Sequence, residues 1–347
     1  MREAPPESPP ESPREAPPEA AREACAKALW RPAAGARALR ARAALLRRLR
    51  AFLDERGLLE VDPPLLAAGA ATDPGLASFR AVDPASGAAR FLSTSPETHL
   101  KRLLAAGSGP VYALTHAFRA GERGRWHNPE FTLLEWYRPG WSMEELMEEV
   151  AALLAEVLPG PPPVPAAYGE LFQEACGLDP HQAGPEALAA AARAAGIEVQ
   201  GLGPEAGRGP WLDLLWTHRV EPLLARRGRV FVTAWPAEQA MLAELAPGPD
   251  GLPRARRFEL YVEGLELANG FQELRDPAEQ ARRFAADLER RRALGLPQPP
   301  VDRAFLEALE AGLPPCAGVA LGVDRLLALA LGAEGLDPVL PFPWERA

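Results

Sequence analysis

The segment FTLLEWY, residues 131–137, carries chemically useful side chains at alternating positions. Successive side chains of a strand point to opposite faces, so Phe131, Leu133, Glu135 and Tyr137 share one face if this segment is a strand. An aromatic ring, a carboxylate and a phenol in one row indicate the floor of a pocket. There, Phe131 stacks on a base, and Glu135 and Tyr137 hold a polar substrate. The alternative is an edge strand with one face in water.

Arg119 ends the preceding segment VYALTHAFR, on the same alternation as Ala113, Thr115 and Ala117. These small neighbours leave room for a ligand, and the planar guanidinium group donates two parallel hydrogen bonds to a phosphate. Asn128 follows in the charged loop between the two segments. Together they indicate a site for a phosphorylated ligand, although each residue alone is also typical of a solvated loop.

A second pair of carboxylates, Glu266 and Glu273, lies in the segment GLELANGFQEL. Residues seven apart face opposite ways in a straight strand. We therefore expect Asn269 and Gly270 to form a turn or a bulge that brings both carboxylates to one side. Such a group suits Mg²⁺, which prefers oxygen ligands, and it suits a substrate ammonium group equally well. An acidic surface patch is the alternative.

The segment GVALGVDRLLALALG predicts a strand, a glycine turn and a helix that begins near Asp324. Gly318 and Gly322 allow close approach of the backbone. Arg325 then lies at the helix N-terminus, where its charge opposes the macrodipole, which implies an anionic or π-rich partner. A core helix after a glycine turn is the alternative. Glu97 in TSPE has a strong structural alternative as well, because a first-turn Glu favours its own helix.

The elements that position these residues are short strands in runs, joined by hairpin-like loops. RFELYVEGLEL alternates as a strand, and segments 39–56, 96–106, 185–196 and 276–294 are predicted to be helices. This order favours an α+β fold with an antiparallel sheet over a βαβ winding. The chain has neither a GxGxxG nor a GxxxxGKS/T loop, so the two common nucleotide-binding scaffolds are not supported.

Composition excludes several classes of protein. The chain has 347 residues, 47% of them hydrophobic, and a formal net charge of −9. This charge argues against a general nucleic-acid coat, but not against a local basic site for a small phosphorylated ligand. Three separated cysteines fit neither a disulfide framework nor a zinc site, and no apolar run approaches the roughly 18 residues of a membrane span. We expect a cytoplasmic protein with no membrane association.

Two parts of the chain differ in composition. The first 20 residues hold seven prolines and five glutamates. Such a sequence cannot bury enough apolar surface to offset its conformational entropy. We predict a disordered Pro/Glu-rich tail over residues 1–36 and one catalytic domain over residues 37–347.

Three segments in order resemble the signature motifs of class II aminoacyl-tRNA synthetases. FLDERGLLEVDPP is similar to motif 1, with Pro64 at its proline, FRAGERGRWHNPEFT to motif 2 and GVALGVDR to motif 3. SPE, HNPEFT, EWY and ELANGFQEL narrow the resemblance to the lysyl branch, and within it to the truncated paralogues that attach (R)-β-lysine to elongation factor P. The resemblance covers about residues 38–347 and is thinnest between 159 and 257.

The resemblance implies a fold and a reaction. The fold is a class II catalytic domain with a sheet of six to seven antiparallel strands flanked by helices, paired as a homodimer through motif 1. The carboxylate of (R)-β-lysine attacks the α-phosphate of ATP, with Mg²⁺ as cofactor. A lysine ε-amine of elongation factor P then attacks the resulting adenylate. Binding of tRNA is not expected.

The resemblance also assigns residues. Arg119 matches the arginine on the α-phosphate, Phe131 the ring under adenine, Arg325 the arginine over it, and Glu266 a metal and phosphate ligand. Arg119, Glu266 and Arg325 are the expected catalytic residues. The other expected nucleotide contacts are Glu122, Asn128, Leu267 and Gly322. The expected amino-acid pocket consists of Ser95, Pro96, Glu97, Glu135, Tyr137, Asn269, Glu273 and Ala320.

Two positions depart from the family pattern. Motif 2 usually runs Arg-x-Glu, but here Gly121 stands third and Glu122 comes one place later, so Glu122 is the candidate for the missing contact. Ala320 stands where lysyl-tRNA synthetases commonly have glycine. One methyl group in a pocket changes discrimination by about 1–3 kcal/mol. We interpret Ala320 as favouring a β-amino acid over α-lysine.

Two other functions fit parts of the pattern. The first is a lysyl-tRNA synthetase-like enzyme that charges tRNA or makes lysyl-adenylate. Such an enzyme is expected to carry an anticodon-reading domain of roughly a hundred residues before motif 1, where this sequence has a Pro/Glu-rich segment. The second is a catalytically inactive nucleotide-binding regulator, against which Arg119, Glu266 and Arg325 weigh.

Overall fold

The structure is a computed structural model that describes residues 30–199, 201–203 and 207–347. Its strands are β1 (Leu59–Glu60), β2 (Leu66–Ala67), β3 (Arg80–Val82), β4 (Ala89–Leu92), β5 (Val111–Phe118), β6 (Glu130–Pro139), β7 (Val164–Ala167), β8 (Arg229–Thr233), β9 (Trp235–Pro236), β10 (Leu245–Pro247), β11 (Pro253–Ala255), β12 (Arg257–Val262), β13 (Leu265–Gln272) and β14 (Cys316–Gly322). Its α-helices are α1 (Ala36–Asp54), α2 (Glu97–Ala105), α3 (Met143–Val157), α4 (Tyr168–Cys176), α5 (Pro185–Ala194), α6 (Arg208–Leu215), α7 (Glu221–Arg227), α8 (Pro277–Ala293), α9 (Arg303–Gly312) and α10 (Val323–Leu331).

The main sheet has, within the described residues, eight strands in the order β1-β5-β6-β14-β13-β12-β8-β7. The six central strands pair antiparallel throughout, which confirms the predicted α+β fold of the class II type. The two edge strands, β1 and β7, pair in parallel with β5 and β8, so the sheet is mixed and exceeds the predicted six to seven strands. A parallel pair requires a long crossover, and helices lie between the partners in both cases.

One face of the sheet is covered by helices α1, α3 and α10. Helix α1 forms because its apolar residues recur at helical spacing, and Leu45, Leu49 and Leu53 bury that stripe. They meet inward-facing sheet residues such as Trp136 and Leu321 in one core. Since side chains alternate along each strand, the residues between these core positions lie on the opposite face. That opposite face carries most of the predicted site and is called the site face below.

Strands β12 and β13 form a hairpin, whereas RFELYVEGLEL was predicted as one strand. The turn is at Glu263 and Gly264, which both have positive φ, of 53° and 80°. The predicted turn at Asn269–Gly270 is wrong, because both residues lie inside β13. Gly270 instead permits close packing, since a Cβ there would collide with the ring of Phe258.

A bulge in β13 has the effect that was expected from the Asn-Gly pair. Tyr261 pairs with Glu266, whereas Leu260 pairs with Ala268, so Leu267 is the extra residue. One inserted residue reverses the alternation of side chains. The bulge thereby places Glu266 on the same face as Glu273, seven residues later.

Residues of the segment 166–255 build a second core together with Tyr261 and Phe271 of the sheet. Its aromatic centre stacks Tyr168 on Trp216, with ring centroids 4.2 Å apart, and Trp235 packs against both rings. The helix predicted over 185–196 is α5. Residues 1–29 of the predicted tail lie outside the described part of the chain. None of the described helices combines the length and the apolar character needed to cross a membrane.

The boundary between tail and domain stays a prediction. Within the described residues, the backbone amides of Ala33 and Ala34 donate to the carbonyl groups of Pro341 and Leu340, at 2.8 and 3.1 Å. Helix α1 begins at Ala36, one residue before the predicted start of the domain. The last residues of the 1–36 segment therefore already contact the C-terminal part of the fold.

Candidate active site

The register of the sheet brings predicted residues from three strands together. Ala320 of β14 pairs with Glu135 of β6 on one side and with Asn269 of β13 on the other. Directly paired residues share a face, so these side chains belong to the site face. Phe131 lies on the same face of β6, four residues and about 13 Å from Glu135. An aromatic plate and an acidic pocket thus lie along one row of side chains.

One end of the site face, called the arginine end, contains Arg119, Phe131, Glu266 and Arg325. The guanidinium carbon of Arg119 lies 5.1 Å from the centre of the Phe131 ring, and its Nε donates to the carbonyl of Thr94 at 3.4 Å. The side chain of Arg119 is 31% exposed, so part of the guanidinium group is free to bind an anion.

Glu122 contacts Arg119 despite the departure in motif 2. Gly121 has a φ of 81°, a conformation that favours glycine, and it turns the chain sharply. The turn brings Glu122 Oε2 to 3.7 Å from Arg119 Nη1. The displaced glutamate is therefore placed to orient the arginine.

Arg325 connects motif 3 to strand β13 and to the loop of motif 2. It donates from Nη1 to the carbonyl oxygen of Glu266 at 2.7 Å and from Nε to the carbonyl of Trp126 at 3.2 Å. Its Nη2 lies 2.8 Å from His127 Nε2. Burial and the charge of Arg325 lower the pKa of His127, so this ring is a neutral acceptor. These contacts place Arg325 against the loop of motif 2 that also precedes Phe131.

Three other residues that were predicted to contact the nucleotide have no free side-chain group for it, so only their backbone is available. Asn128 donates from Nδ2 to the carbonyl of Glu130 at 2.6 Å and accepts from the amide of Trp344 at 3.0 Å, so both ends of its amide are engaged. The side chain of Leu267 packs in the core behind the sheet. Gly322, the residue before α10, has no side chain. Their roles in nucleotide binding stay predictions.

Glu266 has a second carboxylate beside it that the sequence reasoning missed. Glu259 of β12 lies on the same face, and it accepts from Tyr261 at 2.7 Å and pairs with Arg257. Burial and the charge of Glu266 raise the pKa of Glu259 to about 7, against the opposing charge of Arg257. Asn269 is turned toward this group and accepts from Arg257 Nε at 3.2 Å.

Glu259 and Glu266 suit a metal ion that substrate phosphates also bind, rather than one held by protein ligands alone. Within the described residues, no group of three or more His, Cys, Asp or Glu side chains is arranged to hold a metal ion. Glu266 is 39% exposed, and Glu259 lies beside it. Mg²⁺ usually takes one or two carboxylates together with the phosphates of a substrate, and this donor pair matches that habit.

The other end of the site face, called the acidic end, contains Glu97, Glu135 and Glu273. Glu135 is 2% exposed and accepts two hydrogen bonds, from Ser95 Oγ at 2.6 Å and from Tyr137 OH at 2.7 Å. Burial and the charge of Glu97 raise its pKa to about 7, although Ser95 and Tyr137 favour the ionised form. Glu135 is thus poised to ionise near neutral pH when a cation approaches.

Ser95 and Pro96 shape the start of helix α2. Pro96 is the N-cap residue, and Ser95 Oγ accepts a hydrogen bond from the amide of Glu97 at 3.0 Å. The same hydroxyl group donates to Glu135. The SPE segment therefore positions Glu97 and Glu135 relative to each other.

Glu273 is the most enclosed acid of this end. It is 1% exposed, and its Oε1 accepts no hydrogen bond from any residue that the structure describes. Burial raises its pKa to about 8, opposed by the charge of Lys101 and reinforced by that of Glu97. A Cβ on Gly318 would collide with both Glu273 and the ring of Tyr137. A buried carboxylate oxygen without a donor is suited to a substrate ammonium group.

Lys101 lies among these acids and was missed in the sequence. Its Nζ is 2.5 Å from Glu97 Oε1 and 2.5 Å from Glu273 Oε2, and the side chain is 1% exposed. Burial lowers the pKa of Lys101, but the charges of Glu273 and Glu97 outweigh burial and raise it. The sequence held a signal, since Glu97, Leu100, Lys101 and Leu104 follow one helical stripe on which a lysine stands between buried leucines.

A cavity of about 990 Å³ lies elsewhere. It is lined by Met147 of α3, Phe231 of β8 and the segment 246–249, among other residues, and it contains none of the predicted site residues. Phe231 belongs to the core behind the sheet, so the cavity is on the face opposite the site face.

Comparison with known proteins agrees with the geometry. The chain matches the model of the family described as tRNA synthetases class II (D, K and N) over residues 26–160 and 224–346. The unmatched segment falls where the resemblance was thinnest. The chain is 46% identical over 325 residues to a protein named elongation factor P–(R)-beta-lysine ligase from Salmonella arizonae, covering 92% of this chain and 99% of that protein. Proteins of the same name from Salmonella paratyphi B and Salmonella heidelberg match to the same extent. The chain belongs to the class II aminoacyl-tRNA synthetase family, as its three motifs predicted.

Proposed function

We propose that this chain is an ATP-dependent ligase that activates (R)-β-lysine as an adenylate and transfers it to a lysine side chain of elongation factor P. The observation that carries the proposal is the acidic end. Glu97, Glu135 and Glu273 form a largely buried acidic group that suits the two ammonium groups of a diamine, and two arginines and an aromatic ring lie at the other end of the same face. Relatives that match over nearly their whole length carry the name of this ligase.

The first step forms the adenylate. A carboxylate oxygen of the amino acid attacks the α-phosphorus of ATP, and the bond to the β-phosphate oxygen breaks to release pyrophosphate. Arg119 binds the α-phosphate as negative charge moves onto it, and Phe131 and Arg325 hold adenine between them. Fixed charges of this kind stabilise a transition state without reorganisation. Glu266, with Glu259 beside it, would hold Mg²⁺, which supplies charge neutralisation at the phosphates.

The second step forms an amide. The ε-amine of the acceptor lysine attacks the carbonyl carbon of the adenylate, AMP leaves with the bridging oxygen, and the amine loses a proton to solvent. No covalent intermediate on the protein is required, so catalysis consists of positioning and charge stabilisation. The acids of the acidic end hold the two ammonium groups of β-lysine and thereby orient its carboxylate toward ATP.

The remaining expectations are part of the same proposal. We expect a homodimer through motif 1, where the edge strand β1 leaves Leu59 56% exposed and Leu66 nearby is 48% exposed. We expect action in the cytoplasm, with elongation factor P rather than tRNA as acceptor.

The test offers the chain both amino acids and both acceptors. The chain is incubated with ATP, Mg²⁺ and either (R)-β-lysine or α-lysine, together with elongation factor P or lysine tRNA. The intact mass of elongation factor P and acid-stable charging of tRNA are then measured. Attachment of one β-lysyl group to elongation factor P is the expected result. Charging of tRNA with no change in the protein acceptor would refute the proposal in favour of a synthetase.

A further inference from the structure

The acidic end contains a fixed cation of its own. Within the described residues, Lys101 is the cation paired with Glu97 and with Glu273, and Glu135 lies beside that pair without a basic partner. Lys101 Nζ also lies 6.0 Å from the ring centre of Tyr137 and 5.8 Å from that of Phe305. Rings within about 6 Å attract a cation. Carboxylates and rings thus enclose the ammonium group, and the side chain is only 1% exposed.

The charge of this end is set by few groups. Burial raises the pKa of Tyr137 and of Cys316, the latter to about 12, so both are neutral near pH 7. Helix α9 contributes the ring of Phe305 rather than a charge. Arg275 and Glu244 also act on Cys316, but they pair with each other at 3.3 Å. Three carboxylates and one ammonium group therefore carry the charge inside this end. When all three acids are ionised, their charges and that of Lys101 leave two negative charges in excess.

We infer that Lys101 is a positioning residue that adjusts the acidic end to a substrate carrying two ammonium groups. The inference rests on the proposed function. The fixed ammonium group neutralises one of three carboxylates and holds Glu97 and Glu273 apart in a defined geometry. The two charges left over match the two amino groups of (R)-β-lysine. Without Lys101 the three acids repel one another, take up protons and bind the diamine weakly.

The inference predicts the direction in which the KM for β-lysine changes with pH. Lys101 lowers the pKa of both Glu135 and Glu273, against burial, which raises them to about 7 and about 8. A diamine prefers the ionised acids, so the KM for β-lysine in the native chain falls as pH rises from 6 to 8.5. Loss of the Lys101 charge raises both carboxyl pKa values further. The fall in KM then moves to higher pH.

The experiment measures ATP–pyrophosphate exchange driven by (R)-β-lysine between pH 6 and 9. Lys101→Met keeps the length of the side chain and removes its charge, and Arg102→Met, at an exposed neighbour on the same helix, is the matched control. We expect KM for β-lysine to rise roughly 30-fold or more at pH 7 in Lys101→Met, since breaking a buried ion pair has effects of this order. The KM for ATP and the behaviour of Arg102→Met should stay within about twofold.

A second variant separates charge matching from folding. Glu97→Gln combined with Lys101→Met removes one charge of each sign, so the double variant should lose roughly fivefold less than the product of the single losses. A KM for β-lysine that is unchanged in Lys101→Met would overturn the inference. So would a rise that is equal at every pH, or single losses that simply multiply, because either indicates general damage.

Exchange reports activation alone, so a failure to modify elongation factor P refutes the acceptor assignment and leaves this test valid. No exchange by the native chain with any diamine refutes both.

Discussion

The arginine end and the acidic end of the site face differ in exposure as well as in charge. Arg119 and Glu266 are 31% and 39% exposed, whereas Glu135 and Glu273 are 2% and 1% exposed. Burial raises the pKa of both acids, to about 7 for Glu135 and about 8 for Glu273. One end is a partly solvated group of arginines with acidic partners, and the other is an enclosed group of acids around one lysine.

Under the proposed function, the difference follows from the two ligands. A nucleoside triphosphate is large and arrives with its own counter-ions. It can bind at a solvent-exposed site, because the arginines that contact it stay charged in any surroundings. A diamine is small, and it is distinguished from other amines only where its ammonium groups lose their water. Dry carboxylates bind it tightly, but they are unstable as neighbours until a cation arrives. Under the inference drawn above, Lys101 is the cation that stabilises the acids before the substrate enters.

The largest effect is expected at the arginine end. Arg119→Ala removes the guanidinium group that is proposed to bind the α-phosphate, without disturbing the core, since the side chain is partly exposed. We expect pyrophosphate exchange to fall by about 10²–10³-fold or more, as when a donor to a developing charge is lost. Thermal unfolding should remain within a few degrees of the native chain.

The matched control for Arg119 is on the same loop. Arg123→Ala removes an exposed arginine whose partner is Glu345 near the C-terminus. It should leave exchange nearly unchanged. Equal losses in both variants would show that the loop needs positive charge in general, and the contrast between a specific arginine and a solvated one would disappear.

The second effect tests the acidic end. Glu273→Gln keeps the size and shape of the buried side chain but removes its ability to ionise. We expect a loss of about 2–3 kcal/mol, or roughly 30- to 150-fold, in kcat/KM for β-lysine, with KM for ATP preserved. The loss should grow as pH rises, because burial raises the pKa of Glu273 and a larger fraction of the native carboxyl group is ionised at higher pH. Glu307→Gln, at an exposed acid of α9, is the control. A loss that does not depend on pH would contradict the assigned role.

The sequence predicted the two ends unequally. Phe131, Glu135 and Tyr137 were placed on one face from alternation alone, because β6 is a regular strand. Arg325 was placed correctly at a helix start by the glycine before it. These features depend on local chain geometry, which a sequence pattern records.

Long-range contacts were not predictable in this way. The bulge at Leu267 depends on how β13 pairs with β12, and the Asn-Gly signal pointed two residues too far along. The role of Lys101 depends on Glu273, which is 172 residues away in the chain, so the Glu97–Lys101 spacing alone resembled an ordinary surface pair. The edge strands are parallel because crossovers return to the sheet, and no short segment encodes that.

A third, smaller effect is expected where the two ends meet. Ala320 pairs with Glu135 and Asn269, so its methyl group lies between them on the site face, at the floor of the proposed amino-acid pocket. Ala320→Gly should shift the ratio of kcat/KM values toward α-lysine by about 1 kcal/mol or more, or roughly fivefold, since one methyl group has this value in a pocket. Exchange with each amino acid at saturating ATP measures the ratio. An unchanged ratio would mean that discrimination depends on the acids and not on the shape of the floor.

The smallest effect repeats the Glu→Gln change at the arginine end. Glu122 is partly exposed and lies 3.7 Å from Arg119, so its ion pair is weak, and an exposed pair contributes about 0–1 kcal/mol. Glu122→Gln should therefore reduce exchange by no more than about fivefold, and added salt should shrink the difference further. The same Glu→Gln change is thus expected to cause a large loss of activity at Glu273 and a small one at Glu122, because the first carboxylate is buried and the second is partly exposed to solvent. A loss at Glu122 as large as that at Glu273 would mean that the glutamate of motif 2 contacts the nucleotide directly, and that the arginine end is enclosed when ATP is bound.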